Sequence, residues 1–180
     1  MARRRMLQAF QAAKEMGNYA DVPVMPVDVD PQITLSRNTE KQPFFLAFEE
    51  DTVIALMSGS ATVRLRESNV NSWSMIPGDH VYMPAGTPHL LEPNEESVLL
   101  RYIGNEPAYR AAVFACEKCG NELHRLEWQQ DLEVEAIAIY AEVARRFNDD
   151  VGIRTCRICG TTAAEISLGT LGWPSEVPAN

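Results

Sequence analysis

Two rhythms of apolar and polar residues run along this chain. Near its start Leu7, Phe10, Ala13 and Met16 recur at helical spacing, and residues 5–20 are predicted to form an N-terminal helix. DVPVMPVDVDP then ends the helical pattern, because proline fixes φ and removes a backbone donor. From Ile33 to Arg101 the texture is β. FFLAFEEDTVIALMSG, residues 44–59, reads as strand, turn and strand, and ATVRLRE, residues 61–67, alternates with one face inward. HVYMP is a short strand, SVLLRYI another, and Gly59, Gly78 and Gly86 lie between strands where turns need them. Short strands with no long helix between them predict a small sandwich or barrel. After a boundary at residues 104–115 come a strand-like LHRLEWQ and a helical stretch from Leu132 to Phe147. Ile137, Tyr140, Ala141 and Ala144 supply that helix with its apolar face, and NDDVG ends it. The tail beyond Gly160 is weakly periodic and offers Leu171 and Trp173 as its packing residues.

Composition narrows the function classes. At 180 residues and 46% hydrophobic content the chain can bury a core, but it holds no run of 18 apolar residues that would span a membrane. The basic opening MARRRMLQAF is not followed by an apolar segment and a small-residue cleavage site, so a cytoplasmic location is expected. Lys and Arg total 16 against 25 Asp and Glu, a formal charge of -9. Such a surface repels a phosphate backbone, and neither nucleic acid nor membrane is expected as a partner. The run Arg3, Arg4, Arg5 is read as a solvated start to the first helix.

The four cysteines form two C-x-x-C-G units, Cys116 with Cys119 and Cys156 with Cys159, separated by 36 residues. In a chain of this kind the spacing reads as a pair of metal knuckles rather than a disulfide framework. Four thiolates suit zinc, and iron fits the same ligand set. Four protein ligands leave no open coordination position, so the centre is structural and ties residues 120–155 back onto the body. His124 would overfill such a centre and is assigned a hydrogen-bonding or surface role; Arg125 is placed to balance the charge of the metal–thiolate group.

PGDHVYMPAGTPHLLEP, residues 77–93, places Gly78, Pro84, Gly86 and His89 in the spacing of the second cupin motif. Together with CEKCGNELHRLEWQ and CRICG, this order resembles the bacterial type of 3-hydroxyanthranilate 3,4-dioxygenase across roughly residues 5–160. The resemblance implies an all-β fold: a cupin (double-stranded β-helix) barrel with an N-terminal helix and a small C-terminal rubredoxin-like four-cysteine subdomain. The corresponding divisions are residues 1–30 for the helix and lead-in, 31–112 for the barrel, 113–165 for the metal subdomain and 166–180 for the tail. It also implies a homodimer. In that family two histidines and a glutamate hold a catalytic ferrous iron. His89 matches one histidine, whereas Leu46 and Thr52 stand at the positions of the other two ligands. Gln42 and Pro93 stand where arginines would grip the substrate carboxylate, and Arg101 falls near a substrate-binding glutamate. An interior iron is therefore not expected. Glu49, Glu50 and Asp51 offer replacement carboxylates only if the strand register slips, and a non-standard centre built from His89, His80 and an acid is the remaining alternative, with His80 otherwise read as exposed.

Two functional readings follow. In one, the barrel binds or transforms a small aromatic or amino-acid-derived metabolite without iron. His89 is then the proton-transfer residue, and Thr52, Tyr82, Arg101 and Gln42 bind and orient the substrate. In the other, the barrel is catalytically silent, a structural or accessory subunit with Leu46 in its core and His89 merely satisfied. An active dioxygenase with a remodelled iron site is the third and least favoured reading.

Overall fold

The computed structural model describes residues 7–66 and 71–175; the Arg3–Arg5 run, the end of the ATVRLRE strand and the last five residues lie outside them. Eleven strands and four helices are present among these residues. In chain order they are α1 (Ala9–Ala13), β1 (Val22–Pro23), β2 (Gln32–Asn38), β3 (Phe45–Phe48), β4 (Thr52–Ser58) and β5 (Ala61–Leu65). β6 (Ser72–Met75), β7 (His80–Met83), β8 (His89–Pro93), β9 (Ser97–Ile103), β10 (Ala108–Ala115) and β11 (Glu122–Gln130) follow. α2 (Ala136–Asp149), α3 (Val151–Arg154) and α4 (Leu168–Leu171) complete the chain.

The strands form two antiparallel sheets, ordered β1-β2-β9-β4-β7 and β11-β10-β3-β8-β5-β6. Their inner faces supply one apolar core that includes Leu46, Ile54, Leu56, Val63, Met83, Leu91 and Leu99. The expected barrel is thus two facing sheets, with no strand ladder joining them among the described residues. β10 pairs with β3 on one side and β11 on the other, so one sheet runs from the strands of residues 33–101 into the strand that follows the first knuckle.

Alternation along β9 sets up the interior. Ser97, Leu99, Arg101 and Ile103 are all buried and share one face, while Leu100 and Tyr102 between them are half-buried. Arg101 faces Ile54 of β4 and Thr34 of β2 in register, so period-two geometry commits this arginine to the core.

Helix α2 closes the molecule rather than standing apart from it. Its buried face carries Tyr140, Ala141, Val143, Ala144 and Phe147. Phe147 stacks on Phe114 of β10 at 3.9 Å, and the Tyr140 ring meets Phe44, Trp128 and Trp173. Aromatic contacts at these distances fill the space between sheet and helix. The first helix is shorter than its pattern predicts. Leu7, Ala13 and Met16 pack on Leu35 and Val98, but Phe10 is exposed and does not join them, although helical spacing groups it with them. No helix among the described residues is long and apolar enough to cross a membrane.

Candidate functional site

The four cysteines come together as their spacing predicts. Their sulfurs lie within 4.8 Å of one another, with Cys116 to Cys159 at 3.6 Å and Cys119 to Cys156 at 3.5 Å. Tetrahedral Zn–S bonds of about 2.3 Å put sulfurs about 3.8 Å apart, so the cluster matches a four-thiolate metal site. Both knuckles use the same turn. Gly120 and Gly160 donate to the carbonyls of Cys116 and Cys156, each at 2.8 Å, and have φ of 73° and 70°. A side chain there would be strained, which accounts for the glycine after each C-x-x-C. The Thr161 hydroxyl lies 3.4 Å from the Cys159 sulfur, and hydrogen bonding with the Thr161 side chain and then its backbone holds that thiol down to about 6. His124 is not part of the sulfur cluster, and Arg125 forms an ion pair with Glu122.

Between the sheets, Thr52, His89, Arg101 and Gln42 are all buried, whereas Tyr82 is 57% exposed and does not join them. His80 is exposed as well, its Nδ1 bound to the Gly78 carbonyl. Leu46 lies directly opposite His89 in the β3–β8 register, so its methyl groups sit on the same face beside the imidazole. Gln42 is spent on backbone, donating to the Phe44 carbonyl at 2.8 Å and accepting from Leu91 N–H at 3.4 Å.

The decisive contact lies on His89. Its Nδ1 is 3.0 Å from the carbonyl of Thr87, and only a protonated nitrogen can face a carbonyl oxygen. Nε2 therefore carries the lone pair, the tautomer of an imidazole ready to bind a metal. What it meets is the Arg101 guanidinium, with Nη1 at 2.8 Å. Burial first, and the arginine charge second, push the His89 pKa down to about 3. The ring is neutral near pH 7, and its single lone pair is already in use.

Arg101 is itself held by a polar cluster. The Asp21 carboxylate lies 4.0 Å from Arg101 Nε and accepts hydrogen bonds from Ser36 Oγ at 2.8 Å and the Tyr140 hydroxyl at 3.2 Å. The guanidinium also covers the Phe48 ring at 4.6 Å, and Phe48 stacks on His89. A cavity of only about 10 Å³ remains beside this cluster, bounded by Tyr19, Gln42, Phe44, Tyr140 and Trp173 among others. That is room for about one water molecule. Asp21 and Tyr140 were invisible as site residues in the sequence: the first sits in a proline-rich connector, the second on an apolar helix face. Arg101 had a signal, since it shares strand parity with Leu99 and Ile103.

Glu49 and Asp51 are engaged at the surface, accepting from the backbone N–H groups of Tyr109 and Ala85. Glu50 is half-buried, and burial raises its pKa. Outside the interior, a cleft of about 610 Å³ opens beside the first knuckle with Lys41, Arg64 and Arg66 on its walls. Each of these cations faces a carboxylate: Glu117, Glu92 and Glu122 respectively.

No protein-family profile matches this chain, and no curated protein matches it. Solved structures do. A hydroquinone 1,2-dioxygenase crystallised with Cd2+ and 4-hydroxybenzonitrile is 16% identical, over 59% of this chain and 82% of that one, with a TM-score of 0.48. The hydroquinone 1,2-dioxygenase of Sphingomonas sp. TTNP3 with 4-hydroxybenzoate bound is 13% identical over 53% and 71%, with a TM-score of 0.47. A cupin-2 domain protein of Shewanella frigidimarina NCIMB 400 is 14% identical over 56% and 94%, also at 0.47. Scores below one half transfer neither an activity nor a ligand to this chain.

Proposed function

We propose that this chain is an iron-free cupin-type protein, silent in ring-opening oxidation, whose double sheet serves as a structural or accessory subunit stapled by zinc at its four cysteines. The reading is carried by the 2.8 Å bond between Arg101 Nη1 and His89 Nε2. An iron ligand needs that same lone pair, and the donors that would accompany it are replaced by Leu46 and Thr52. The guanidinium supplies the internal positive charge that a divalent cation would otherwise provide, and Asp21 answers it. The residual volume supports the same reading against an interior substrate, because about 10 Å³ admits no aromatic ring. It also argues against His89 as a general acid or base at neutral pH, since a group of pKa about 3 with its lone pair engaged transfers no proton there. Thiolates in a closed tetrahedral set favour zinc as a structural metal.

The test is elemental analysis of protein produced with ample iron and zinc, together with oxygen uptake on 3-hydroxyanthranilate and hydroquinone. One metal per chain is expected, lost on Cys116→Ser/Cys156→Ser substitution, with no oxygen consumption. A second metal per chain that disappears in His89→Ala and leaves the cysteine metal in place would overturn the proposal.

A further inference from the structure

The four cysteines do not share one environment. Cys116 and Cys156, the first of each C-x-x-C, are 3% and 1% exposed, whereas Cys119 is exposed and Cys159 half-buried. The close sulfur contacts run between the knuckles, and each joins an outer cysteine to an inner one: Cys119 to Cys156 at 3.5 Å and Cys159 to Cys116 at 3.6 Å. A reagent arriving from solvent therefore reaches Cys119 and Cys159 first, because access governs which thiolate reacts. Each of these outer sulfurs has a buried sulfur beside it on the opposite knuckle.

Backbone bonds hold the inner cysteines in place without help from a metal. Cys116 N–H donates to the Asn121 carbonyl at 2.8 Å and Cys156 N–H to the Thr161 carbonyl at 2.9 Å, while Gly120 and Gly160 close each turn with the returning bond. Thr155 and Thr162 add a bridge just outside the second turn. Turns fixed in this way keep the same sulfurs facing each other when their bonds to a metal are broken. A disulfide places its sulfurs about 2.05 Å apart, so each cross-knuckle pair needs to close by only about 1.5 Å. A disulfide within one knuckle, Cys116–Cys119 or Cys156–Cys159, would leave the two knuckles unjoined.

We propose that the cluster is a peroxide-sensitive clasp: oxidation begins at the Cys119 and Cys159 thiolates and ends in two cross-knuckle disulfides, Cys119–Cys156 and Cys116–Cys159, which release the metal and keep the knuckles joined. The inference rests on the four-thiolate metal reading above. In each pair the outer thiolate attacks hydrogen peroxide, the O–O bond breaks, and a sulfenic acid and a hydroxide form. The inner thiolate then attacks the sulfenic sulfur, forming the S–S bond and releasing a second hydroxide. Each thiolate pair gives up two electrons to one peroxide molecule. Four anionic ligands become two neutral disulfides, and nothing remains to hold the cation.

The test uses wild-type full chain whose metal content is measured before hydrogen peroxide is added. About two peroxides are expected to be consumed, and about one metal released, per chain. Peptide mapping without reduction should find the two cross-knuckle disulfides, and dimedone present during oxidation should label Cys119 or Cys159 but not the inner pair. The oxidised protein should keep its hydrogen-exchange protection at residues 116–124 and 151–162, which reduced protein stripped by a chelator should lose. Metal that stays bound under excess peroxide, disulfides confined to single knuckles, dimedone on Cys116 or Cys156, or oxidised protein that exchanges like the stripped form would each defeat the clasp. Protein that carries no metal before oxidation would instead defeat the zinc-staple reading, and its disulfide map would still decide between cross-knuckle and within-knuckle pairing.

Discussion

An imidazole and a guanidinium that share a hydrogen bond in a dry interior constrain each other's protonation. His89 donates from Nδ1 to Thr87 and accepts at Nε2 from Arg101, so adding a proton would place two cations 2.8 Å apart with little water to screen them. The pH consequence has a definite sign. The folded pKa is lowered to about 3 from an ordinary value of 6.5, so below pH 6.5 the unfolded chain takes up a proton that the folded chain refuses. Stability is fully expressed above pH 6.5 and falls as pH drops toward 3, at no more than about 1.4 kcal/mol per pH unit from this residue. Urea unfolding at pH 7, 6 and 5, wild type against His89→Gln, measures its share: the variant's stability should fall less steeply. Equal slopes would mean that His89 is protonated in the folded protein. His89 was legible from the spacing of Gly78, Pro84 and Gly86. Its partner was legible only in part, because alternation fixes which face Arg101 shares but not which charge lies across the gap. Asp21 could not be read at all, since its place depends on a connector returning beside β2, where Ser36 holds it.

At the scale of elements, the two knuckles stand at the ends of an excursion through β11 and α2. Cys116 follows directly on β10, and Cys156 follows α3. Closing the four sulfurs on a metal joins these ends across the long intervening loop, and metal binding then contributes directly to local folding. Removing the metal, by Cys119→Ser or by a strong chelator, is expected to loosen the knuckles before the sheets. Hydrogen exchange should quicken first at residues 116–124 and 151–162, while β2, β4 and β9 keep their protection. Uniform acceleration across all strands would show that the centre supports global rather than local stability. These elements were the most readable part of the chain. C-x-x-C-G specifies its turn through glycine, and the α2 face follows helical periodicity. The helix begins at Ala136 rather than Leu132 because Glu133 and Val134 are held in a turn by bonds to Asp131.

For the molecule as a whole, the segment at Asn18 and the segment at Leu171–Trp173 meet beside the interior cluster. Asn18 N–H and Nδ2 both donate to the Leu171 carbonyl, and the Trp173 indole donates to the Asn18 carbonyl at 2.6 Å. The Trp173 ring packs against Phe44 and Tyr140, so it covers the same small space that Asp21 and Arg101 border. Sequence pattern identified Trp173 as a packing residue but not its partner, which lies 155 residues away and leaves no local signature. Its two contributions separate experimentally. Trp173→Ala removes both ring and donor and should destabilise the fold by about 3–5 kcal/mol, as expected for a large buried aromatic. Trp173→Phe keeps much of the ring contact, loses the bond to Asn18, and should cost about 1–3 kcal/mol because the Asn18 carbonyl loses a buried donor. Denaturant midpoints at constant slope give both numbers. If the tail were an ornament on a self-sufficient double sheet, both variants would unfold like the wild type. If it seals the interior, the alanine variant should also admit water to the Arg101–His89 pair and draw the His89 pKa back toward 6.5, a shift that the imidazole resonances report directly.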